Sequence, residues 1–173
     1  MNDPNSEGRD VLEQWHRGIR LLHTAHAMSA ADFGRRGRML GVPVVILATI
    51  VGTGIFASIS REVVSTTWKI VAGLLAALAA TLSALQTFLN YGVLAEKHKA
   101  AELAFGALRR DLERALDSGP LNAEARAAIM KEIGGRWTSI EREAPTVPDN
   151  IHRLAAKQVG VREGNSNRAL EES

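Results

Sequence analysis

Three of the five histidines, His16, His23 and His26, follow one another at spacings of seven and three, so a single helix would carry all three on one face. Zinc is the chemistry such a face suggests. It needs three or four convergent ligands, and helical zinc pairs come at i, i+4 with a carboxylate close by. The spacings match no such pattern, and no cysteine is present to supply a thiolate. No metal or other cofactor is expected, and a place in a helix seam suits these histidines better. His98 and Glu102, at i, i+4 beside Glu96, Lys97 and Lys99, have the residue types of an acid–base pair. A general base requires a substrate pocket, and no other motif points to one. Gly52-Thr53-Gly54 lacks the preceding strand and the following Gly-Lys-Ser/Thr of a phosphate loop. Nucleophile elbows and paired carboxylates are also missing, so the chain reads as a non-enzyme.

The most suggestive polar residues lie inside an apolar stretch. Ser83, Gln86, Thr87 and Asn90 recur at i, i+3, i+4 and i+7 and would share one helical face. In hydrocarbon each needs a partner, because an unsatisfied amide there costs several kcal/mol. Two readings stay open: a water-lined pore surface in an oligomer, or interhelical hydrogen bonds that fix an assembly. Gly73, Ala77, Ala80 and Ala84 form a second face of small residues, which lets two backbones approach closely, from the first span or from a neighbouring subunit. Gly41 and Pro43 mark an expected hinge, a break or a kink, since proline removes the hydrogen bond to the carbonyl of Met39.

The elements that must position these residues are two uncharged runs. Met39 to Ser60 holds twelve Ile, Leu, Val, Phe and Met, and Ile70 to Ala95 holds eleven together with seven alanines. About 20 apolar residues cross a hydrocarbon core of roughly 30 Å. On the insertion scale the first run contributes about −4 to −7 kcal/mol, which outweighs Thr49, Thr53 and Ser58. The alternative, two buried core helices of a soluble bundle, would need more apolar chain to surround them than the flanks offer. The expected fold is therefore an all-α membrane protein: a two-span transmembrane helical hairpin with N- and C-terminal cytoplasmic helical extensions. Arg20, Arg35, Arg36, Arg38, Lys97, Lys99, Arg109, Arg110 and Arg114 flank the runs, whereas the loop has only Arg61 and Lys69. That bias places both termini on the cytoplasmic side of the inner membrane. Trp68 and Tyr91 suit its two interfaces. The polar start argues against a cleaved leader, and a net charge of +2 without a basic arm argues against nucleic acid.

Before the runs, Leu12, Trp15, Ile19, Leu22, His26, Ala30 and Phe33 recur every three or four residues, and from Leu94 near the end of the second run the same rhythm, with a first step of seven, continues through Ala101, Phe105, Leu108, Leu112 and Leu116. Each membrane helix is expected to extend into the cytoplasm, where the two extensions pack together. Asp117-Ser118-Gly119-Pro120 ends the second, and Asn122 caps a third helix with the stripe Ile129, Ile133, Trp137, Ile140. Pro145 and Pro148 mark a linker before a short helix over 151–159. The expected organisation is a disordered 1–9, a two-span domain over 10–117, C-terminal helices over 121–160 and a disordered tail from 161 to 173. Within the two-span domain the segments are a helix at 10–38, spans at 39–60 and 70–95 joined by the loop 61–69, and a helix at 96–117.

One ordered set of motifs resembles a known family. A basic amphipathic helix leads through Arg35-Arg36-Gly37-Arg38-Met39-Leu40-Gly41-Val42-Pro43 into the first span. The second ends Ser83-Ala84-Leu85-Gln86-Thr87-Phe88-Leu89, followed by Ala95-Glu96-Lys97-His98-Lys99-Ala100-Ala101 and a charged helix. Over residues 10 to 116 this resembles the SLATT family, two-span effector domains associated with SMODS nucleotidyltransferases and SLOG proteins in bacterial conflict systems. The resemblance implies an oligomeric pore-forming or membrane-disrupting effector, gated from the cytoplasm by such a partner or its nucleotide-derived signal. It makes Gln86 and Asn90 pore candidates and Lys97, His98 and Lys99 candidates for sensing the signal. The competing expectation is a non-conducting membrane anchor whose cytoplasmic coiled coil recruits a partner.

Overall fold

The computed structural model describes the backbone of residues 4–59, 65–118 and 122–171, and the side chains over 10–56, 65–118 and 122–160. Every regular element among the described residues is an α-helix: α1 (Pro4–Ile59), α2 (Thr66–Leu89), α3 (Tyr91–Asp117), α4 (Ala123–Glu143) and α5 (Asp149–Glu171). They divide into two compact units, a terminal unit of Met1–Ala31 with Ala95–Ser173 and an apolar unit of Asp32–Leu94.

The terminal unit is a helical bundle assembled from the expected stripes. Leu12, Ile19, Phe105, Leu108, Leu112 and Ile133 are buried together, with Trp15, Leu22, Leu116, Trp137 and Ile140 packed against them. The indoles of Trp15 and Trp137 meet edge-to-face with centroids 5.9 Å apart. Each also covers a glycine of the facing helix. A Cβ at Gly18 would come within 2.8 Å of Trp137, and one at Gly134 within 3.1 Å of Trp15. Gly134 therefore admits an indole that a side chain at this position would crowd. A hydrogen bond between His16 Nε2 and Glu113 Oε1 at 2.9 Å and an ion pair from Arg136 to Asp111 at 2.8 Å stitch the same helices. Asn122 caps α4, its side chain accepting from Ala125 N–H at 2.8 Å. Ile151, Ala155 and Val159, one face of α5, are buried.

Two helices are long and apolar enough to cross a membrane. Of their most apolar stretches, 6% of residues in the first and none in the second are buried. Contacts within the apolar unit climb one chain segment as they descend the other: Gly37 lies by Tyr91, Gly41 by Gln86 and Gly54 by Trp68. Val44, Leu47, Val51 and Gly54 of α1 are half-buried at spacings of three and four, and so are Ala72, Leu75, Ala79 and Leu82 of α2. A narrow seam of this kind is what a heptad-like repeat produces.

Several expected boundaries move. α1 continues through Pro43, so the chain does not leave the helix at Gly41–Pro43. A proline forfeits one hydrogen bond, whereas ending the helix there would orphan a full turn of backbone groups. The break falls instead at Asn90, and Tyr91 to Ala95 belong to α3. α2 starts at Thr66, not at Ile70, because Ser65 caps it by accepting from Trp68 N–H at 3.3 Å. The ends expected to be disordered are helical from Pro4 and as far as Glu171; no proline follows Pro148 to stop α5. Arg61 with the centre of the connecting loop, Gly119-Pro120, and residues 1–3 and 172–173 lie outside the described residues.

Candidate functional site

Ser83, Gln86 and Thr87 share an exposed face of α2, as their spacing requires. The Thr87 hydroxyl donates to the Ser83 carbonyl at 3.0 Å, and Thr81 and Thr49 likewise bond the carbonyl four residues back, at 2.9 and 2.8 Å. Thr53 bonds Thr49 in the same way. These hydroxyls are satisfied within their own helices and need no partner on another. Gln86 differs, since its amide makes no hydrogen bond among the described residues and lies where a Cβ on Gly41 would approach its Nε2 to 3.2 Å.

Asn90 leaves this face. Its φ of 47° and ψ of 37° put it in the left-handed region, where its N–H bonds the Gln86 carbonyl at 3.1 Å. Asparagine tolerates that conformation better than other residues with a Cβ, and it ends helices for this reason. Its place in the i+7 series is a helix cap. The small-residue face Gly73, Ala77, Ala80, Ala84 is exposed throughout, whereas the half-buried positions of α2 include 72, 75, 79 and 82.

Lys97, His98 and Lys99 do not form one surface. Successive helical residues point about 100° apart. Lys99 reaches Glu102 at 2.9 Å, and Lys97 is exposed on a cleft of about 210 Å³ shared with Ile140 and Glu143. His98 turns inward and is 0% exposed. Its Nδ1 lies 3.0 Å from Nδ1 of His26, which is 2% exposed and stacks on Phe105 with centroids 5.5 Å apart. One imidazole must donate and the other accept, so the accepting ring is neutral and carries its proton on Nε2. Burial, and then the neighbouring His98, lowers the pKa of His26 to about 4, and burial also lowers that of His98. His26 lines a cleft of about 300 Å³ with Glu141, Thr146 and His152.

The histidine face is thereby dispersed. His16 pairs with Glu113, His23 lies against Gly106, and His26 meets His98. Among the described residues no three His, Asp or Glu side chains are grouped to hold a metal ion. The His26–His98 pair escaped the sequence reading because its partners are 72 residues apart, although position 98 sits in the gap of the stripe Leu94, Ala101, Phe105.

Compared with family models, with curated proteins and with solved structures, the chain matches none.

Proposed function

We propose that this chain is an inner-membrane protein whose two apolar segments cross the bilayer as an antiparallel hairpin with both termini cytoplasmic. It acts as an oligomeric pore-forming or membrane-disrupting effector, gated through its terminal unit by a partner protein or a nucleotide-derived signal. One observation carries the reading: large apolar side chains of the apolar unit lie on its outside, Phe56 at 79%, Phe88 at 85% and Leu74 at 66% exposure. Such a surface is costly in water and suited to lipid. Two spans cannot enclose a pore, so several copies assemble. The uncovered ridge Gly73, Ala77, Ala80, Ala84 serves their close approach, and Ser83 with Gln86 faces the interior. The gating partner follows from the resemblance to SLATT effectors, with a nucleotidyltransferase or SLOG protein as the source of the signal.

The internally satisfied threonines favour a second reading, a non-conducting anchor whose terminal bundle recruits a partner. Expression in bacteria with a membrane-potential dye separates the two. For the effector, depolarisation falls at least about tenfold in Ser83→Ala/Gln86→Leu, while cross-linked oligomers persist. Intact potential under every trigger supports the anchor.

A further inference from the structure

The apolar unit contains a groove that borders the polar face, since Gln86 is one of its lining residues. Its volume is about 510 Å³, and Gly34, Gly37 and Gly41 form its floor on one face of α1. Three missing side chains at i, i+3 and i+7 leave a trough, and the left-handed turn at Asn90 brings Tyr91 and Gly92 to its side. Arg38 stands at one end and Val42, Val45 and Ile46 at the other. Arg35 and Arg36 both pair with Asp32, whereas Arg38 has no carboxylate partner among the described residues, and Tyr91 has no hydrogen-bond partner there.

We infer that this groove binds one anionic phospholipid of the cytoplasmic leaflet, its phosphate on Arg38 and one acyl chain along Val42, Val45 and Ile46. Depth supports the fit. Arg38 is the last charged residue before the uncharged run, and Ile46, eight residues on, lies about 12 Å deeper along the helix. That is most of one leaflet of a hydrocarbon core about 30 Å thick. Tyr91 is placed at the same level as Arg38, where an amphipathic ring meets headgroups. A basic residue at this level selects anionic over zwitterionic lipid by about fivefold.

The inference rests on the membrane-spanning reading, and the test separates the two. Carbonate-washed membranes are assayed first for the full chain. If the chain is released, the spanning reading fails and the groove assignment with it. If it stays, the purified protein is examined by native mass spectrometry with phosphatidylglycerol or phosphatidylcholine of identical acyl chains. About fivefold more retained phosphatidylglycerol is expected. Arg38→Gln brings the ratio to parity, Lys69→Gln leaves it unchanged, and Gly37→Leu, which fills the trough, lowers retention of both lipids. Equal retention by the native chain, an unchanged ratio in Arg38→Gln, or a groove closed by a second copy and free of either lipid would each overturn the assignment.

Discussion

The two units are made of the same element and bury their side chains in opposite senses. In the terminal unit Phe105, Leu108 and Leu112 are 0% exposed and charges lie outside. In the apolar unit no residue of α2 is buried, and Leu74 and Leu78 are 66% and 49% exposed. Helix propensity cannot produce this difference. It follows from where the apolar residues sit around each helix: on a stripe in one case, all round in the other. A stripe needs cover on one side only, whereas an all-round surface needs apolar surroundings on every side.

The sharpest way to break the contrast is to charge the uncovered surface. Ile46→Lys/Leu78→Lys is expected to cost about 5–7 kcal/mol of insertion, read as loss of the chain from carbonate-washed membranes. Phe105→Ala should leave that fraction unchanged and destabilise the terminal unit by about 3–5 kcal/mol, read as earlier unfolding in detergent. If one substitution moved both readouts, the two units would not be independent.

Acid gives a smaller effect confined to the terminal unit. The folded pKa of His26, about 4, lies below the usual value of 6.5, so the unfolded chain takes up a proton first. Stability is complete above pH 6.5 and falls as the pH drops towards 4, by about 2 kcal/mol at pH 5 from this group. Thermal unfolding should show that slope, and His26→Phe/His98→Leu should flatten it. The smallest effect concerns the break between α2 and α3. Asn90→Ala places a less tolerant residue in the left-handed region, at about 1 kcal/mol, while Asn90→Gly is tolerated; unfolding midpoints of the pair provide the measurement.

The stripes were legible because a single helix records its own buried face, so Leu12 to Phe33, Phe105 to Leu116 and Ile129 to Ile140 all emerged from spacing. Local stops were legible too, as at Asp117 and Asn122. The Asn90 break was hidden, since neither glycine nor proline marks it and its i+7 spacing fitted the polar face. Pro43 misled in the other direction, because proline signals a break without stating what breaking would cost. Inward or outward placement at 97, 98 and 99 depends on a helix far away in the chain. So do the indole–glycine contacts, which no local pattern contains.

Those contacts extend to the whole chain. All three tryptophans rest on a glycine of another segment: Trp15 on Gly134, Trp137 on Gly18, and Trp68 on Gly54, where a Cβ would come within 2.5 Å of the ring. The fluorophores are thus divided, two in one unit and one in the other. A Trp68→Phe variant would report by its emission on the terminal unit alone, and a Trp15→Phe/Trp137→Phe variant on the apolar unit alone. Nature has left the molecule with separate optical channels for its two halves, so their melting can be timed against each other without any attached dye.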